Sequence, residues 1–353
     1  MIFNDKNIFE EAPDVADINR KNYVDGMNAF INRLNTEAKD KRREFMPPED
    51  LAENPKKYRA LYHQMLGLDK LTYSDLSRAT KEYVASDDVS DIYRLTVYIT
   101  EEIPFYAMLI IPKDAPKPYP VMIAQHGGGG TPELCLDYNG KNNYNHMAQR
   151  ALAKGYAILA PQIMIWRLET IETAPARDVP YDRHGPDNEL KRHGLSITGL
   201  EIKGILTSLD YVLENEEVDK EKISMMGISY GGYYTLHTMA ADTRIKSGYA
   251  LAAFNDRNVY SWFDWTYKNS ANTFHDAEVA ALCAPRKLYV QVGKQDQVFD
   301  YRSAVTESER VYDYYKAFGK EENFKFRLWD GGHTISDDDD GFDFIASAYQ
   351  KKG

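Results

Sequence analysis

Residues Gly227–Gly232, with the sequence GISYGG, place Ser229 where an apolar strand pattern gives way to a helical one. A serine on a sharp strand-to-helix turn is a nucleophile elbow, which presents its hydroxyl for attack on a carbonyl carbon. The flanking glycines fit this geometry, because a Cβ in such a crowded turn would collide with neighbouring elements. A GxSxG motif also arises by chance in ordinary glycine-rich turns. The interpretation therefore depends on whether a base, an acid and an oxyanion loop occur elsewhere in the chain.

A run of four glycines, within His126–Gly130, follows directly on an earlier strand pattern. Removing side chains lets backbone amides approach a ligand, and amides held about 2.7 to 3.1 Å from a developing oxyanion stabilise it. We predict that the amides of Gly128 and Tyr230 form this oxyanion hole. Gly127 or Gly129 could replace Gly128 in that role.

The base and the acid are expected after the last two strands. Of the eight histidines, His333 is the only one on a glycine-rich turn that leaves the terminal strand pattern, Phe324–Trp329. Asp296 lies at the exit of the preceding pattern, Lys287–Val292. A carboxylate there would hold the imidazole tautomer and stabilise the imidazolium. The chain order serine, aspartate, histidine differs from that of the chymotrypsin and subtilisin types.

Other residues leave alternatives open. Asp256 and Asp264, in the loop after another strand pattern, are the runner-up acids, and Asp300 is expected to start a helix. A metal-dependent hydrolase would have to draw on one loop trio: His184, Asp187 and His193. That trio lacks the helical i,i+4 spacing of a zinc site, so we expect neither a metal nor a cofactor.

The elements that must position these residues alternate between helix and strand after Gln125. This predicts an α/β fold with a mostly parallel central sheet and helices on both faces. Two earlier strand patterns, Ile92–Ile99 and Phe105–Ile111, are joined by a short gap and predict antiparallel strands at the start of the sheet. The catalytic domain is expected to span residues 81–353.

A helical N-terminal extension is predicted over residues 1–80, packed on the catalytic domain. One helical face carries four apolar side chains at helical spacing: Met27, Phe30, Ile31 and Leu34. A second amphipathic pattern follows after Pro47-Pro48.

Two long segments, 161–194 and 255–285, interrupt the alternation and should leave the sheet at its carboxyl edge, where ligands bind in such folds. We interpret them as lids or walls of a pocket. The second is rich in aromatic residues and, with Trp166, offers Trp262 and Trp265 as a stacking wall for a sugar ring. The alternative is that these aromatics form a small core within the loop itself.

Composition narrows the partners. The 353 residues carry a formal net charge of −11, which argues against a nucleic acid or an anionic membrane as partner. Two cysteines give neither a disulfide framework nor a zinc motif. The N-terminus lacks the pattern of a secretory signal, so a cytoplasmic location is expected. The sequence is compatible with either a single chain or a homo-oligomer.

These motifs resemble the α/β-hydrolase superfamily, and within it the dienelactone hydrolase and acetyl xylan esterase-like group. The resemblance covers about residue 80 to the end and includes, besides the motifs above, the segments 110–121, 218–223 and 240–245. It implies a serine esterase that acts through an acyl-enzyme, with an acylated saccharide as the first choice of substrate. Dienelactone hydrolases proper use a cysteine where this chain has Ser229. A peptidase of the prolyl oligopeptidase type and a non-catalytic binding protein are the alternatives.

Overall fold

The structure is a computed structural model and describes residues 13–137, 142–164, 166–168, 178–180 and 183–350. For 166–168 and 178–180 only the backbone is described. No helix within these ranges is long and apolar enough to cross a membrane.

A nine-stranded sheet forms the centre of the molecule. In chain order its strands are β1 (Thr80–Ser86), β2 (Ser90–Tyr98), β3 (Pro104–Pro112), β4 (Tyr119–Gln125), β5 (Ala157–Pro161), β8 (Val218–Ile228), β9 (Ser247–Leu251), β10 (Lys287–Gly293) and β11 (Phe324–Trp329). Two further strands, β6 (Trp166–Leu168) and β7 (Asp178–Pro180), form a separate antiparallel pair.

The spatial order of the large sheet is β1-β2-β3-β5-β4-β8-β9-β10-β11. The first three strands and the β3–β5 pair are antiparallel, whereas every pair from β5 to β11 is parallel. The predicted fold class, a mostly parallel sheet with antiparallel N-terminal strands, is confirmed.

Helices connect the strands. They are α1 (Pro13–Phe45), α2 (Pro48–Glu53), α3 (Pro55–Leu66), α4 (Pro132–Cys135), α5 (Met147–Ala153), α6 (His184–Arg192), α7 (Ile197–Asn215), α8 (Tyr230–Ala241), α9 (Asp276–Cys283), α10 (Tyr301–Ala317) and α11 (Asp340–Ala346). The Asp300 side chain accepts a hydrogen bond from the Arg302 amide, so its predicted place at the start of a helix is confirmed.

Alternate side chains of each strand enter two different cores, as the pleat of a sheet requires. On β4, Val121 and Ile123 pack with α7, α8 and α10, whereas Met122 and Ala124 pack with α5 and α11. Both faces of the central strands are therefore covered, which explains why their sequences are almost continuously apolar.

The end of the N-terminal extension packs on the catalytic domain. Helix α3 buries Tyr58, Tyr62 and Leu66, and Arg59 donates to the carbonyl oxygens of Ala240 in α8 (2.9 Å) and Leu282 in α9 (2.8 Å). The last turns of α1 are held by Arg42, whose fully buried guanidinium forms ion pairs with carboxylates of α9 and α10.

Most of α1 does not pack on the domain, however. Residues 17–34 are all exposed, including the four apolar residues at helical spacing, Met27, Phe30, Ile31 and Leu34. The prediction that the helical extension, residues 1–80, packs on the catalytic domain is therefore wrong for this stretch. The stretch is helical, as its apolar periodicity predicts, but periodicity does not specify which surface covers an apolar stripe.

Candidate active site

Ser229 lies between the end of β8 and the start of α8. Its φ and ψ are 59° and −123°, a backbone conformation that non-glycine residues rarely adopt and that is typical of strained functional turns. The turn is held on both sides, because the Ser229 amide donates to Leu251 O (2.9 Å) and the Tyr233 amide donates to Ser229 O (2.9 Å).

The glycines around Ser229 are dictated by close backbone approaches. A Cβ on Gly227 would lie 2.5 Å from the carbonyl of Gly231, and one on Gly231 would lie 2.1 Å from Gln125 O. Both positions contact backbone, which cannot rotate away as a side-chain tip can. The steric reason inferred from the sequence for the GxSxG pattern is thus the one that the structure displays.

The glycine loop after β4 passes directly beside the serine. A Cβ on Gly127 would lie 2.9 Å from Ile228 O and 3.2 Å from the Ser229 Cβ. The Gly127 amide already donates to the Tyr144 hydroxyl (3.0 Å), so it is not the second oxyanion donor. The amides of Gly128 and Gly129 donate no hydrogen bond within the described residues. The oxyanion role predicted for Gly128, with Gly129 as the alternative, stays a prediction.

Tyr230 is the first residue of α8. Backbone N–H groups in the first turn of a helix point out of its N-terminus, where the helix dipole favours negative charge. An oxyanion formed next to Ser229 would meet this end of α8 on one side and the glycine loop on the other.

The imidazole of His126 is neutral and holds the start of the glycine loop in place. Its Nδ1 lies 2.8 Å from Gly127 O and its Nε2 accepts from the Ile163 amide at 3.0 Å, an arrangement that requires the proton on Nδ1. Burial lowers the pKa of His126 to about 4. The imidazole thus joins the loop after β4 to the start of the long segment after β5.

Asp296 and His333 meet across the ends of β10 and β11. The His333 Nδ1 lies 2.9 Å from Asp296 Oδ2, and the other carboxylate oxygen accepts from the amides of Val298 (2.8 Å) and Phe299 (3.2 Å). The carboxylate is fully buried, whereas a quarter of the imidazole is exposed. The Phe299 ring stacks against the imidazole at 5.9 Å between centroids. Such a carboxylate fixes the tautomer that leaves Nε2 able to accept a proton.

Ser229 Oγ makes no hydrogen bond within the described residues. Contacts between serine and histidine are often long in a site without substrate and tighten when substrate binds. The loop of His333 and the glycine loop are nonetheless linked. The hydroxyl of Thr334, next to His333, donates a hydrogen bond to Asn143 O (3.0 Å), and the hydroxyl of the following residue, Tyr144, accepts one from the Gly127 amide.

The segment between the glycine loop and α5 was missed by sequence reasoning as part of the site. Asn145 has a positive φ of 47°, and its buried amide donates to Ile335 O (3.2 Å), Ser336 O (3.2 Å) and Asp337 Oδ1 (2.9 Å). Together with Tyr144, this residue connects the loop of His333 to the glycine loop after β4. The asparagine itself is the signal in the sequence that could have drawn attention to it, because asparagine adopts a positive φ more readily than most other residues.

A buried ionic network lies behind Tyr230. Arg183, only 2% exposed, donates to Glu201 (2.9 and 3.2 Å) and to Asp264 (2.9 and 3.2 Å), and also bonds Met164 O. The Tyr230 hydroxyl donates to Asp264 at 3.1 Å. Burial raises the pKa of Asp264, and the charge of Arg183 offsets only part of that rise. Arg183 thereby joins both long segments to α7 and to the residue after the serine.

The predicted aromatic wall is divided by the structure. Trp265 is only 4% exposed and stacks on Tyr233 at 4.5 Å, so it belongs to the core of its loop and presents no face to a sugar. The stacking role predicted for it is wrong. Trp262 is partly exposed and lies 6.1 Å from the Tyr230 ring, next to the elbow. The side chain of Trp166 lies outside the described residues.

The alternative acids and ligands do not join this group. Asp264 is bound to Arg183, and Asp256 lies near Lys39 and His275, so neither bonds His333. The trio of His184, Asp187 and His193 forms no metal-binding group, and no other three acidic, histidine or cysteine side chains do so within the described residues.

Known proteins share this architecture. The model of the prolyl oligopeptidase family matches residues 198–338, less than half of the chain but including the serine, the aspartate and the histidine. A protein of Bacillus subtilis (strain 168), named "Putative hydrolase YtaP", is 27% identical over 212 residues, which cover 54% of this chain and 65% of that protein. The match therefore spans just under two thirds of the relative's length.

Solved structures give the same result for the fold. A "putative acetyl xylan esterase" from Bacteroides fragilis NCTC 9343 has a TM-score of 0.64 at 15% identity, covering 80% of this chain and 76% of that one. A glucuronoyl esterase from Solibacter usitatus has a TM-score of 0.59 at 13% identity, covering 84% and 92% of the two chains. With the strand order described above, these matches show that the chain has the α/β-hydrolase fold.

Proposed function

We propose that this protein is a serine esterase that hydrolyses short-acyl carboxylic esters, with acylated saccharides as its substrate class. The observation that carries the proposal is the His333–Asp296 hydrogen bond at the ends of β10 and β11, in a fold that also presents Ser229 on a strained elbow. Three side chains from three strand ends, in the order typical of α/β-hydrolases, match the needs of acyl transfer.

In the proposed reaction, Ser229 Oγ attacks the ester carbonyl and its proton passes to His333 Nε2. The carbonyl π electrons move to the oxygen, where the amides of Tyr230 and Gly128 stabilise the charge. As the tetrahedral intermediate collapses, the alkoxy C–O bond breaks and His333 protonates the departing alcohol. Asp296 stabilises the imidazolium throughout and is not itself protonated.

Water then completes the cycle. His333 removes a proton from a water molecule as its oxygen attacks the acyl carbon, and the second tetrahedral intermediate releases the carboxylic acid and restores the Ser229 hydroxyl. No metal or cofactor is needed for any step. We place the protein in the cytoplasm in this proposal, as expected from the sequence.

The saccharide class is supported by two features. The structural neighbours are named as esterases of acetyl xylan and of glucuronoyl esters. In this chain, Trp262 offers a partly exposed aromatic ring beside the elbow, which suits stacking on a sugar.

Peptide cleavage is the second candidate, because the prolyl oligopeptidase family model matches the segment that holds the triad. The described residues before the sheet, 13–79, form helices and short turns rather than the blades of a propeller. We therefore rank the esterase first.

A substrate panel tests the proposal. Purified protein is assayed with p-nitrophenyl acetate, butyrate and octanoate, with acetylated xylo-oligosaccharides, with a methyl ester of glucuronic acid and with a prolyl peptide amide, using Ser229→Ala as the blank. We expect turnover of the short acyl esters that is lost in the blank and unaffected by a chelator. Ester turnover equal in Ser229→Ala would contradict the assigned nucleophile, and cleavage of the peptide alone would favour the second candidate.

A further inference from the structure

A stack of nearly parallel rings joins the imidazole of His333 to the second long segment. The Phe299 ring lies 5.9 Å from the imidazole with 15° between the planes, and the Trp265 ring lies 6.5 Å from Phe299 with 11° between the planes. Trp265 in turn stacks on Tyr233 of α8 at 4.5 Å and 6°. Aromatic rings attract one another over centroid distances of about 4.5 to 7 Å, so each ring of the stack helps to set the plane of the next.

The hydrogen bond to Asp296 leaves one motion of the His333 imidazole free. It fixes the position of Nδ1, but the ring can still turn about that atom, because the last side-chain torsion of histidine has broad energy minima. Nε2, on the far side of the ring, would move most in such a turn. A quarter of the His333 side chain is exposed, and solvent does not hold a ring plane. A second contact, on the face of the ring, is therefore needed to direct Nε2.

Phe299 makes that second contact and also holds the carboxylate. Its amide donates to Asp296 Oδ1 at 3.2 Å, while its ring stacks on the imidazole. The Phe299 side chain is only 1% exposed, and the Tyr260 ring packs edge-on against it at 4.7 Å. Phe299 thus constrains both the acid and the base, the first through its backbone and the second through its ring.

Trp265 connects the acid and the base to the helix that follows the nucleophile. Besides stacking on Tyr233, its ring meets that of Tyr230 edge-on at 4.7 Å. Both tyrosines belong to α8, whose first residue directly follows Ser229. The serine and the histidine are therefore attached to one packed aromatic unit rather than to two independent loops.

We propose that Phe299, supported by Trp265, is a positioning residue that holds the imidazole of His333 with Nε2 directed at Ser229. The inference rests on the proposed esterase function and assigns no chemistry to the phenyl ring, which has no group that donates or accepts a proton. Its effect is on geometry, and a displacement of about 1 Å in a reacting group can cost about 100-fold in rate. Loss of the ring should therefore slow the chemical steps and leave substrate binding nearly unchanged.

Phe299→Leu tests this role, because it keeps an apolar side chain but removes the ring face. We expect kcat for p-nitrophenyl acetate to fall about 10- to 100-fold. KM should stay close to the wild-type value, since His333 serves both halves of the reaction and both should slow together. Phe299→Tyr keeps the ring and should retain most of the wild-type kcat.

Phe324→Leu is the matched control for the loss of a buried ring. Phe324 is 3% exposed in the same core and contacts Tyr312 at 4.7 Å, but it lies at the amino end of β11, away from the catalytic end. We expect Phe324→Leu and Phe299→Leu both to unfold at lower urea concentration than the wild type. Only Phe299→Leu should lose kcat.

Proton NMR separates this inference from the esterase function. The Nδ1 proton between His333 and Asp296 should give a downfield resonance, which is identified by its absence in His333→Gln. We expect this resonance to broaden or disappear in Phe299→Leu and to persist in Phe299→Tyr and Phe324→Leu. The measurement needs no turnover, so an inactive wild-type protein would contradict the proposed function alone, and the resonance would still decide the role of Phe299.

The results that would overturn the proposal are specific. In an active enzyme they are a fall in kcat for Phe299→Leu no larger than that for Phe324→Leu, or a change confined to KM. In an inactive protein the overturning result is an unchanged resonance in Phe299→Leu. If Phe299→Leu does not fold, Trp265→Leu, which removes the supporting ring, is judged by the same criteria, with Trp265→Phe as the variant that keeps a ring.

Discussion

Replacing Arg183 with methionine tests whether the ionic network behind Tyr230 holds the walls of the site. Among the residues that the structure describes, Arg183 is the only positive side chain that pairs with both Glu201 and Asp264, and its removal leaves these two carboxylates buried. Breaking a buried pair by deleting one partner costs about 3 to 5 kcal/mol. A domain of this kind is stable by about 5 to 15 kcal/mol, so we expect Arg183→Met to lose a large fraction of its free energy of unfolding.

The pH dependence of this loss has a defined sign. A buried carboxylate without a cation has a higher pKa in the folded state than in the unfolded state. Its contribution to the free energy of unfolding is therefore complete below the unfolded-state pKa and is lost as pH rises through the folded-state pKa. The Asp264 pKa is already raised in the wild-type protein, mainly by burial. The stability gap between Arg183→Met and wild type should therefore narrow as pH is lowered from about 8 to about 5.

The assay is urea unfolding followed by tryptophan fluorescence at several pH values. Arg192→Met is the matched control. Arg192 is the last residue of α6, the helix that begins directly after Arg183, but it forms an exposed ion pair with Glu189. Exposed pairs contribute about 0 to 1 kcal/mol, so the control should be nearly neutral. Arg183→Lys keeps the positive charge but lacks the planar guanidinium with its paired donors, so its loss in the free energy of unfolding should lie between those of Arg183→Met and Arg192→Met. A loss for Arg183→Met no larger than that of the control would refute the reasoning.

Three further predictions concern the proposed reaction and its loops. Asp296→Asn should lower kcat by about 10⁴-fold with little change in KM, as loss of the tautomer-fixing carboxylate does in serine proteases; steady-state kinetics would contradict this with a change under tenfold. Tyr144→Phe leaves the Gly127 amide without its acceptor, a cost of about 1 to 3 kcal/mol, and should lower kcat/KM while Asp296 and His333 stay in place; an unchanged kcat/KM would show that this bond does not position the loop. The pKa of His126 is about 4 in the folded state, below its unfolded value of about 6.5. Its contribution to the free energy of unfolding, at most about 3 kcal/mol, is therefore complete above pH 6.5 and is lost as pH falls toward 4. His126→Asn should remove that part of the pH dependence of stability, and an identical pH profile in the variant would contradict this prediction.

The elbow, the acid and the base were predictable because each follows a strand. Strand patterns are local, and parallel strands place their carboxyl ends at one edge of the sheet, so the sequence alone is enough to bring Ser229, Asp296 and His333 to the same edge. Their catalytic roles remain a proposal. The glycine loop was predictable for the same reason, but the sequence could not indicate which of its amides already has an acceptor. It depends on the Tyr144 hydroxyl, which reaches Gly127 from a separate turn.

The residues that sequence reasoning missed lie in irregular segments. Arg183 binds carboxylates that are 18 and 81 positions away in the chain, and no local pattern encodes such a contact. The burial of Trp265 likewise depends on how its loop folds back onto Tyr233 and Phe299. The exposure of α1 was missed for the opposite reason. Its apolar periodicity was clear, but an amphipathic pattern is the same whether the covering surface belongs to its own chain or to another.

The most direct test of the central claim is mass spectrometry after reaction with a fluorophosphonate, a reagent that forms a covalent adduct with an activated serine. Wild-type protein and Ser229→Ala are incubated with the reagent, and intact masses and tryptic peptides are compared. We predict one adduct per wild-type chain, on the peptide that contains Ser229, and none in the variant. Equal labelling of the variant, or ester turnover by a wild-type protein that takes up no reagent, would contradict the assignment of Ser229 as the nucleophile.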